Sequence, residues 1–220
     1  MKGIQIQYRA VGCAGWGICR ILGRATLHGT ENIPRSGGLI VVSNHLSHLD
    51  PPVIAGVVGC RQVYFMAKEE LFRVPLVGAY LRSVGTFPVK RGAADRAALR
   101  RAFDTLAGGR ALGMFPEGHR SEDGRLQPGE EGVGLIALRS RAPILPIGIA
   151  GTNTVLPAHS LLLRPGKVSI CIGSPFLLDD LYDRPRRETV SEATRRIMAA
   201  IQDILPPRHH PAPNGERVSG

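Results

Sequence analysis

A chain of 220 residues with 43% apolar side chains can bury one sizeable core and is read most simply as one domain. Its formal charge of +10 and pI near 10.2 call for an anionic partner: a membrane surface, a phosphorylated substrate or an acidic carrier protein. Nucleic acid is set aside, because aromatics are only 5%, the arginines are dispersed, and neither a helix-turn-helix nor zinc-ligand spacing occurs.

The first element is a helix over 4–22, with Ile4, Tyr8, Val11, Gly15, Ile18 and Leu22 at helical spacing. Its longest uncharged run, Ala10 to Cys19, is far short of the ~20 apolar residues that a bilayer core demands. Arg20 and Arg24 after the run, and the lack of a small-x-small site, argue against a signal peptide. Trp16 and the flanking arginines predict an interfacial, membrane-interacting helix over 1–23; the alternative is a helix packed on the domain. From Ala25 strands and helices alternate. Strands are expected at 25–28, 38–43, 62–66, 85–89, 111–114, 144–149 and 168–173, and helices near 52–58, 69–82, 93–107, 131–140 and 187–204. This interleaving predicts an α/β domain over 24–205, built on a mostly parallel central sheet flanked by helices. After Pro206-Pro207 the tail to Gly220 has almost nothing to bury and is expected to be disordered. Cys13, Cys19, Cys60 and Cys171 show no metal-ligand spacing and read as buried thiols.

The chain is organised around Ser43-Asn44-His45-Leu46-Ser47-His48-Leu49-Asp50, which follows the apolar run Gly38 to Val42 and precedes Pro51-Pro52. A short apolar run ending in polar residues reads as a buried strand delivering side chains to a sheet edge. On one helix, a five-residue offset would turn His45 and Asp50 ~140° apart. The chain must therefore turn between them for Asp50 to close on His45. An imidazole held by a buried carboxylate is a general base of fixed tautomer; the competing reading of this His and Asp is helix capping. His48 is the rival base, and Ser47 a rival covalent nucleophile. A second polar loop, Phe115-Pro116-Glu117-Gly118-His119-Arg120-Ser121, leaves the apolar strand 111–114. Ligands of open α/β sheets bind at that edge, and Arg120 there suits bidentate binding of a phosphate.

Asn-His-x-Ser-x-x-Asp resembles the first motif of the glycerolipid acyltransferases, the 1-acyl-sn-glycerol-3-phosphate acyltransferase family. Gly85-Thr86-Phe87-Pro88-Val89-Lys90-Arg91, Phe115 to Ser121 and Ala142-Pro143-Ile144-Leu145-Pro146-Ile147 match its further blocks in order, and Met66 to Phe72 resembles its link between the first two. The resemblance implies the family's fold. It also implies transfer of a fatty acyl group from acyl-CoA or acyl carrier protein to the 2-hydroxyl of 1-acyl-glycerol-3-phosphate, giving phosphatidic acid. His45 would be the base and Asp50 its orienting carboxylate. Arg91, Glu117, Gly118, Arg120 and Ser121 would form the substrate site, with Glu117 orienting Arg120 or binding an acceptor hydroxyl. Asn44, Ser47, Lys90 and Pro146 would support it. Neither a metal nor a permanent cofactor is implied. The implied partners are a lysophospholipid acceptor, the acyl donor and an anionic membrane surface, with the enzyme peripheral or monotopic on a cytoplasmic face. Two departures bear on the acceptor: His119 stands where the family usually has Thr, and Glu130-Glu131 stand where it often has a basic residue. They leave open another lysolipid or lipid alcohol. Also open are a lipid or thioester hydrolase and a non-catalytic basic module docking on membranes. No motif fixes acyl-chain length, choice of donor or oligomeric state.

Overall fold

The structure, a computed structural model, describes residues 2–90, 95–158, 160, 162–182 and 186–211. Seven strands form one sheet: β1 (Thr26–His28), β2 (Leu39–Ser43), β3 (Val63–Lys68), β4 (Phe87–Val89), β5 (Ala111–Met114), β6 (Ile144–Ala150) and β7 (Ser169–Ile172). Their spatial order is β1-β7-β6-β2-β5-β3-β4, and every neighbouring pair is parallel except β6 with β7. All five residues of β2 and all seven of β6 are buried, as continuous apolar runs in a sheet covered on both faces should be. Alternation along β2 then sends Leu39 and Val41 to one core and Ile40 and Val42 to the other.

Helices α1 (Lys2–Ile21) and α2 (Asp50–Val58) cover the first core. The second lies under α4 (Arg96–Ala107), α5 (Glu131–Ser140) and α7 (Arg186–Asp203). Two shorter helices are α3 (Pro75–Ser83) and α6 (Thr152–Val155). Residues 69–82, expected as one helix, are a 3-10 turn over Glu69–Arg73 followed by α3. The break has a local cause: Pro75 keeps Val74 extended, at φ −78° and ψ 115°. Helix α4 begins at Arg96, where Asp95 accepts hydrogen bonds from the Ala97 and Ala98 N–H groups, both at 3.0 Å.

The N-terminal helix is packed on the domain. Tyr8 is buried and its hydroxyl accepts the Val63 N–H at 2.9 Å. Glycines let α1 and α2 touch backbone to backbone, since a Cβ on Gly56 would collide with the Gly12 carbonyl oxygen. The same glycines that weaken α1 as a helix therefore make its seam. Among the described residues no helix is long and apolar enough to cross a membrane.

Two expectations are corrected. Residues 206–211 are not an unstructured tail: Pro207–His209 form a 3-10 turn and His209 is buried. Its Nδ1 donates to the Gly124 carbonyl at 2.6 Å, and its own carbonyl accepts the Leu126 N–H at 2.8 Å. The loop after residue 121 has backbone groups to satisfy, and the tail supplies them; residues 212–220 lie outside the described residues. Nor are the thiols uniformly buried, for Cys13 and Cys60 are exposed while only Cys19 is fully enclosed.

Candidate active site

Strand β2 ends at Ser43, and the next side chain continues its pairing. Asn44 Nδ2 donates to the Ile149 carbonyl and Asn44 Oδ1 accepts the Ile149 N–H, both at 2.8 Å. With Asn44 pinned to β6, His45 is the first residue to leave the sheet. The chain then turns as expected, and Asp50 opens α2 with Pro51 and Pro52 in the first turn. Asp50 is fully buried. Its Oδ2 accepts from His45 Nδ1 at 2.8 Å, from the Leu46 N–H at 2.6 Å and from the Ser47 N–H at 2.7 Å. Its Oδ1 accepts from the buried Thr152 hydroxyl at 2.6 Å. These bonds run upstream into the turn rather than into α2, so the carboxylate does not cap the helix in the usual sense. It closes the turn and holds the imidazole at once.

The His45 side chain is 16% exposed. Its ring stacks on Phe115 with centroids 4.1 Å apart, and Phe115 in turn stacks on Phe65. Because Nδ1 faces a carboxylate, the proton belongs there and the Nε2 lone pair is left for chemistry. Among the described residues Nε2 has no hydrogen-bond partner. The backbone of His45 is also held. Its N–H donates to Glu117 Oε1 at 2.6 Å and its carbonyl accepts the Ser121 N–H at 2.8 Å.

Glu117 departs from both sequence readings. It is buried, and its second oxygen accepts the Gln127 N–H at 2.9 Å. It therefore neither orients Arg120 nor offers an oxygen to an acceptor hydroxyl; it ties the 115–127 loop to the His45 backbone. Burial pushes its carboxyl up to about 7, against the pull of the two backbone N–H donors. Gly118 makes the bend beside it at φ +71°, a conformation costly for most other residues. Ser121 is likewise buried and occupied, its hydroxyl donating to Asp123 Oδ1 at 2.8 Å. The Ser47 hydroxyl donates to the Leu156 carbonyl at 2.8 Å and accepts the Leu49 N–H at 3.2 Å, which leaves it poorly placed as a nucleophile.

Arg120 does face the same edge. It is half-buried, it spends one donor on the Ala158 carbonyl at 3.3 Å, and it lies close enough to His48 to disfavour that imidazolium. The His48 pKa is lowered first by desolvation, then by Arg120 and His45. Lys90 stands apart, exposed at the end of β4 with Nζ 3.8 Å from Glu69 Oε2. Pro146 is buried within β6 opposite Val42, two strands in from the β1 end of the sheet, and supports the sheet rather than the site. Arg91 lies outside the described residues. Of the departing acidic residues, Glu131 accepts a hydrogen bond from Ser191 of α7 at 2.7 Å and so faces the helical layer. Glu130 is exposed beside Gly118.

Three participants escaped the sequence reading: Thr152 behind Asp50, Phe115 under His45, and Gln127 on Glu117. Only Thr152 left a signal, as the hydroxyl that follows Gly151 at the carboxyl end of β6.

An imidazole with one nitrogen fixed and the other without a partner among the described residues, at the carboxyl edge of a parallel sheet and on the turn whose His48 feels the Arg120 guanidinium, can take up a proton from an anion-bearing alcohol. The acyltransferase family model matches residues 24–150, and the chain belongs to that family. It is similar to the 1-acyl-sn-glycerol-3-phosphate acyltransferase of Bacillus subtilis, with 27% identity over 188 residues, 85% of this chain and 91% of that protein. With the chloroplastic 1-acyl-sn-glycerol-3-phosphate acyltransferase BAT2 of Brassica napus it shares 34% identity over 158 residues, 70% of this chain but only 45% of that one. The crystal structure of the 1-acyl-sn-glycerophosphate acyltransferase PlsC from Thermotoga maritima superposes with a TM-score of 0.72 at 29% identity. That match covers 90% of this chain and 78% of PlsC.

Proposed function

We propose that this acyltransferase moves a fatty acyl group from the thioester of acyl-CoA or acyl carrier protein to the 2-hydroxyl of 1-acyl-glycerol-3-phosphate, forming phosphatidic acid on an anionic membrane surface. One observation carries the reading: His45 Nδ1 is locked on the buried Asp50 carboxylate while Nε2 has no partner among the described residues, on a turn whose His48 feels Arg120. His45 Nε2 takes the proton of the acceptor hydroxyl as that oxygen attacks the thioester carbonyl carbon. The resulting imidazolium is stabilised by Asp50. Collapse of the tetrahedral oxyanion breaks the carbon–sulfur bond, and the departing thiolate recovers the proton from His45. No covalent acyl-enzyme is needed, which agrees with the engaged Ser47 hydroxyl. Arg120 clamps the acceptor phosphate with its remaining donors. The similar enzymes from Bacillus subtilis and Brassica napus, both named for 1-acyl-sn-glycerol-3-phosphate, and the fold shared with PlsC support this acceptor.

The test is mass spectrometry of products from purified protein given acyl-CoA or acyl carrier protein with lysophosphatidic acid. Phosphatidic acid is expected, and its rate should fall by ~10²–10⁴ in His45→Ala. Loss of thioester without a new lipid would replace the reading with a hydrolase. His45→Ala above a tenth of the wild-type rate would remove the base assignment.

A further inference from the structure

The largest unexplained feature of the surface is apolar. Leu71, Val74, Leu76, Val77 and Tyr80 are all exposed within ten consecutive positions, Leu76 at 86% and the others between 39% and 49%. Single exposed apolar side chains are ordinary, but a contiguous group of this kind marks a surface that meets something apolar. Leu76, Val77 and Tyr80 share one face of α3 by their spacing. Gly78 faces the other way, packed so closely on Phe72 that a Cβ there would strike the Phe72 carbonyl. The fold thus holds the apolar side chains outward by packing their glycine neighbour inward.

Placement and charge say what covers them. Strand β3 is parallel to β5, and β5 to β2, so Lys68 at the end of β3 lies on the same sheet edge as the loop that carries His45. The 3-10 turn and the start of α3 leave from that edge, which puts Leu71, Val74 and Leu76 beside the catalytic mouth. Around them stand Lys68, Arg73, Arg82 and Lys90, four cations against the two carboxylates of Glu69 and Glu70. Apolar side chains within a net-positive rim suit the interface of an anionic bilayer, where burial of the former and attraction of the latter add. Among its described side chains helix α1 shows no such face. Its inner side is committed to α2, and among its described side chains the exposed large apolar residues, Ile6 and Ile21, stand towards opposite ends.

We infer that the segment Glu69–Ser83 is the membrane-docking surface of this enzyme, seating α3 on anionic phospholipid so that the lysolipid acceptor reaches His45 from the bilayer without crossing water. The inference rests on the proposed lipid acceptor but is tested apart from it. Full-length protein is co-sedimented with vesicles of phosphatidylcholine alone and of phosphatidylcholine mixed with phosphatidylglycerol. Wild type should bind the mixed vesicles, and more weakly as salt rises. Leu76→Gln should lower partitioning about ten-fold or more, the worth of one buried leucine side chain. Leu76→Ile should retain binding, and Ile6→Gln and Ile21→Gln should change it far less. Acyl transfer to lysophosphatidic acid dispersed in detergent should be the same in all four variants, since none touches the His45 loop. Vesicle binding unchanged by Leu76→Gln, or lost instead with the α1 variants, overturns the assignment. So does light scattering that shows a wild-type dimer made monomeric by Leu76→Gln, because a second copy would then cover the face. If wild type acylates no dispersed lysophosphatidic acid, it is the proposed function that fails, and the binding result is read on its own.

Discussion

Replacing Asp50 by Asn should separate the two tasks of this carboxylate. Its oxygens accept four hydrogen bonds, three at Oδ2 and one at Oδ1. In Asp50→Asn the amide oxygen can take the Oδ2 position and keep the His45, Leu46 and Ser47 donors. The amide nitrogen then faces the Thr152 hydroxyl, which can turn from donor to acceptor. Stability should change by only about 1 kcal/mol. Asp50→Ala instead leaves the buried Leu46 and Ser47 N–H groups without acceptors, at ~1–3 kcal/mol each. The chemical loss is of a different size, because an amide keeps the ring oriented but cannot stabilise the imidazolium formed in the transition state. A drop of about 10⁴ in kcat is expected for that exchange. The assay pairs kcat for acylation of lysophosphatidic acid with thermal unfolding of wild type and both variants. Should Asp50→Asn stay within ten-fold of wild type, the imidazolium needs no counter-charge and His45 is not the base. Should it unfold as readily as Asp50→Ala, the charge itself holds the turn and the two tasks do not separate.

Arg120→Ala removes charge-assisted bonds worth ~1.5–3 kcal/mol each, so the specificity constant for lysophosphatidic acid should fall about 10- to 150-fold with the donor KM little moved. Arg120→Lys should restore part of it, and equal losses on lysophosphatidic acid and a neutral monoacylglycerol would refute the phosphate clamp. Glu117 holds its proton up to about 7 in the fold, against an ordinary 4.5. Its contribution to stability is therefore complete below 4.5 and is lost as pH rises through 7, by on the order of 3 kcal/mol. Denaturant titrations across that range should show a decline in wild type that is absent from Glu117→Gln. Gly56→Ala forces a Cβ into the Gly12 carbonyl and should cost ~1–3 kcal/mol in a melt, whereas Gly17→Ala, with nothing within 4 Å, should stabilise α1 by up to ~1 kcal/mol. Equal melts for the two would mean that α1 does not pack on α2 through its glycines.

The sheet was legible because burial on both faces writes itself as apolar runs: all seven strands lie within two residues of their expected limits at either end. Helix α4 was legible through its opposed apolar and arginine faces, though its start depends on the Asp95 cap. The pairing of His45 with Asp50 could be argued from spacing, since a five-residue offset on one helix would turn them apart, but spacing alone left helix capping open and the further motif blocks weighed against it. What could not be read was which polar atoms the fold would consume. Glu117 looks like a ligand-binding residue in the chain because its neighbours Pro116 and Gly118 bend the loop. Its actual partners, the His45 and Gln127 N–H groups, are backbone donors that no sequence displays. The same holds for Ser121 and for the ordered residues around His209, whose partners are backbone groups of other loops.

That distinction changes how the motifs act together. Asn44, Ser47, Glu117 and Ser121 are polar and buried, and each has its polar side-chain atoms engaged in holding backbone or loop geometry. They fix the strand-to-turn junction on three sides: Asn44 to β6, Asp50 through Thr152 to α6, and the His45 backbone to the 115–127 loop. Such over-determination leaves His45 little freedom, and as the proposed base it would lose no orientation when the substrate arrives. In the 43–50 turn, the polar side-chain groups left open among the described residues are His45 Nε2 and the exposed His48, and the half-buried Arg120 faces them with its spare donors. On the proposed function, headgroup choice would rest on charge at Arg120, and the acyl portion would be selected by apolar surface rather than by hydrogen bonds. On the proposed function and docking surface, an exposed apolar face beside the same edge belongs to the logic of the site, since a lipid tail would be sheltered there on its way to His45.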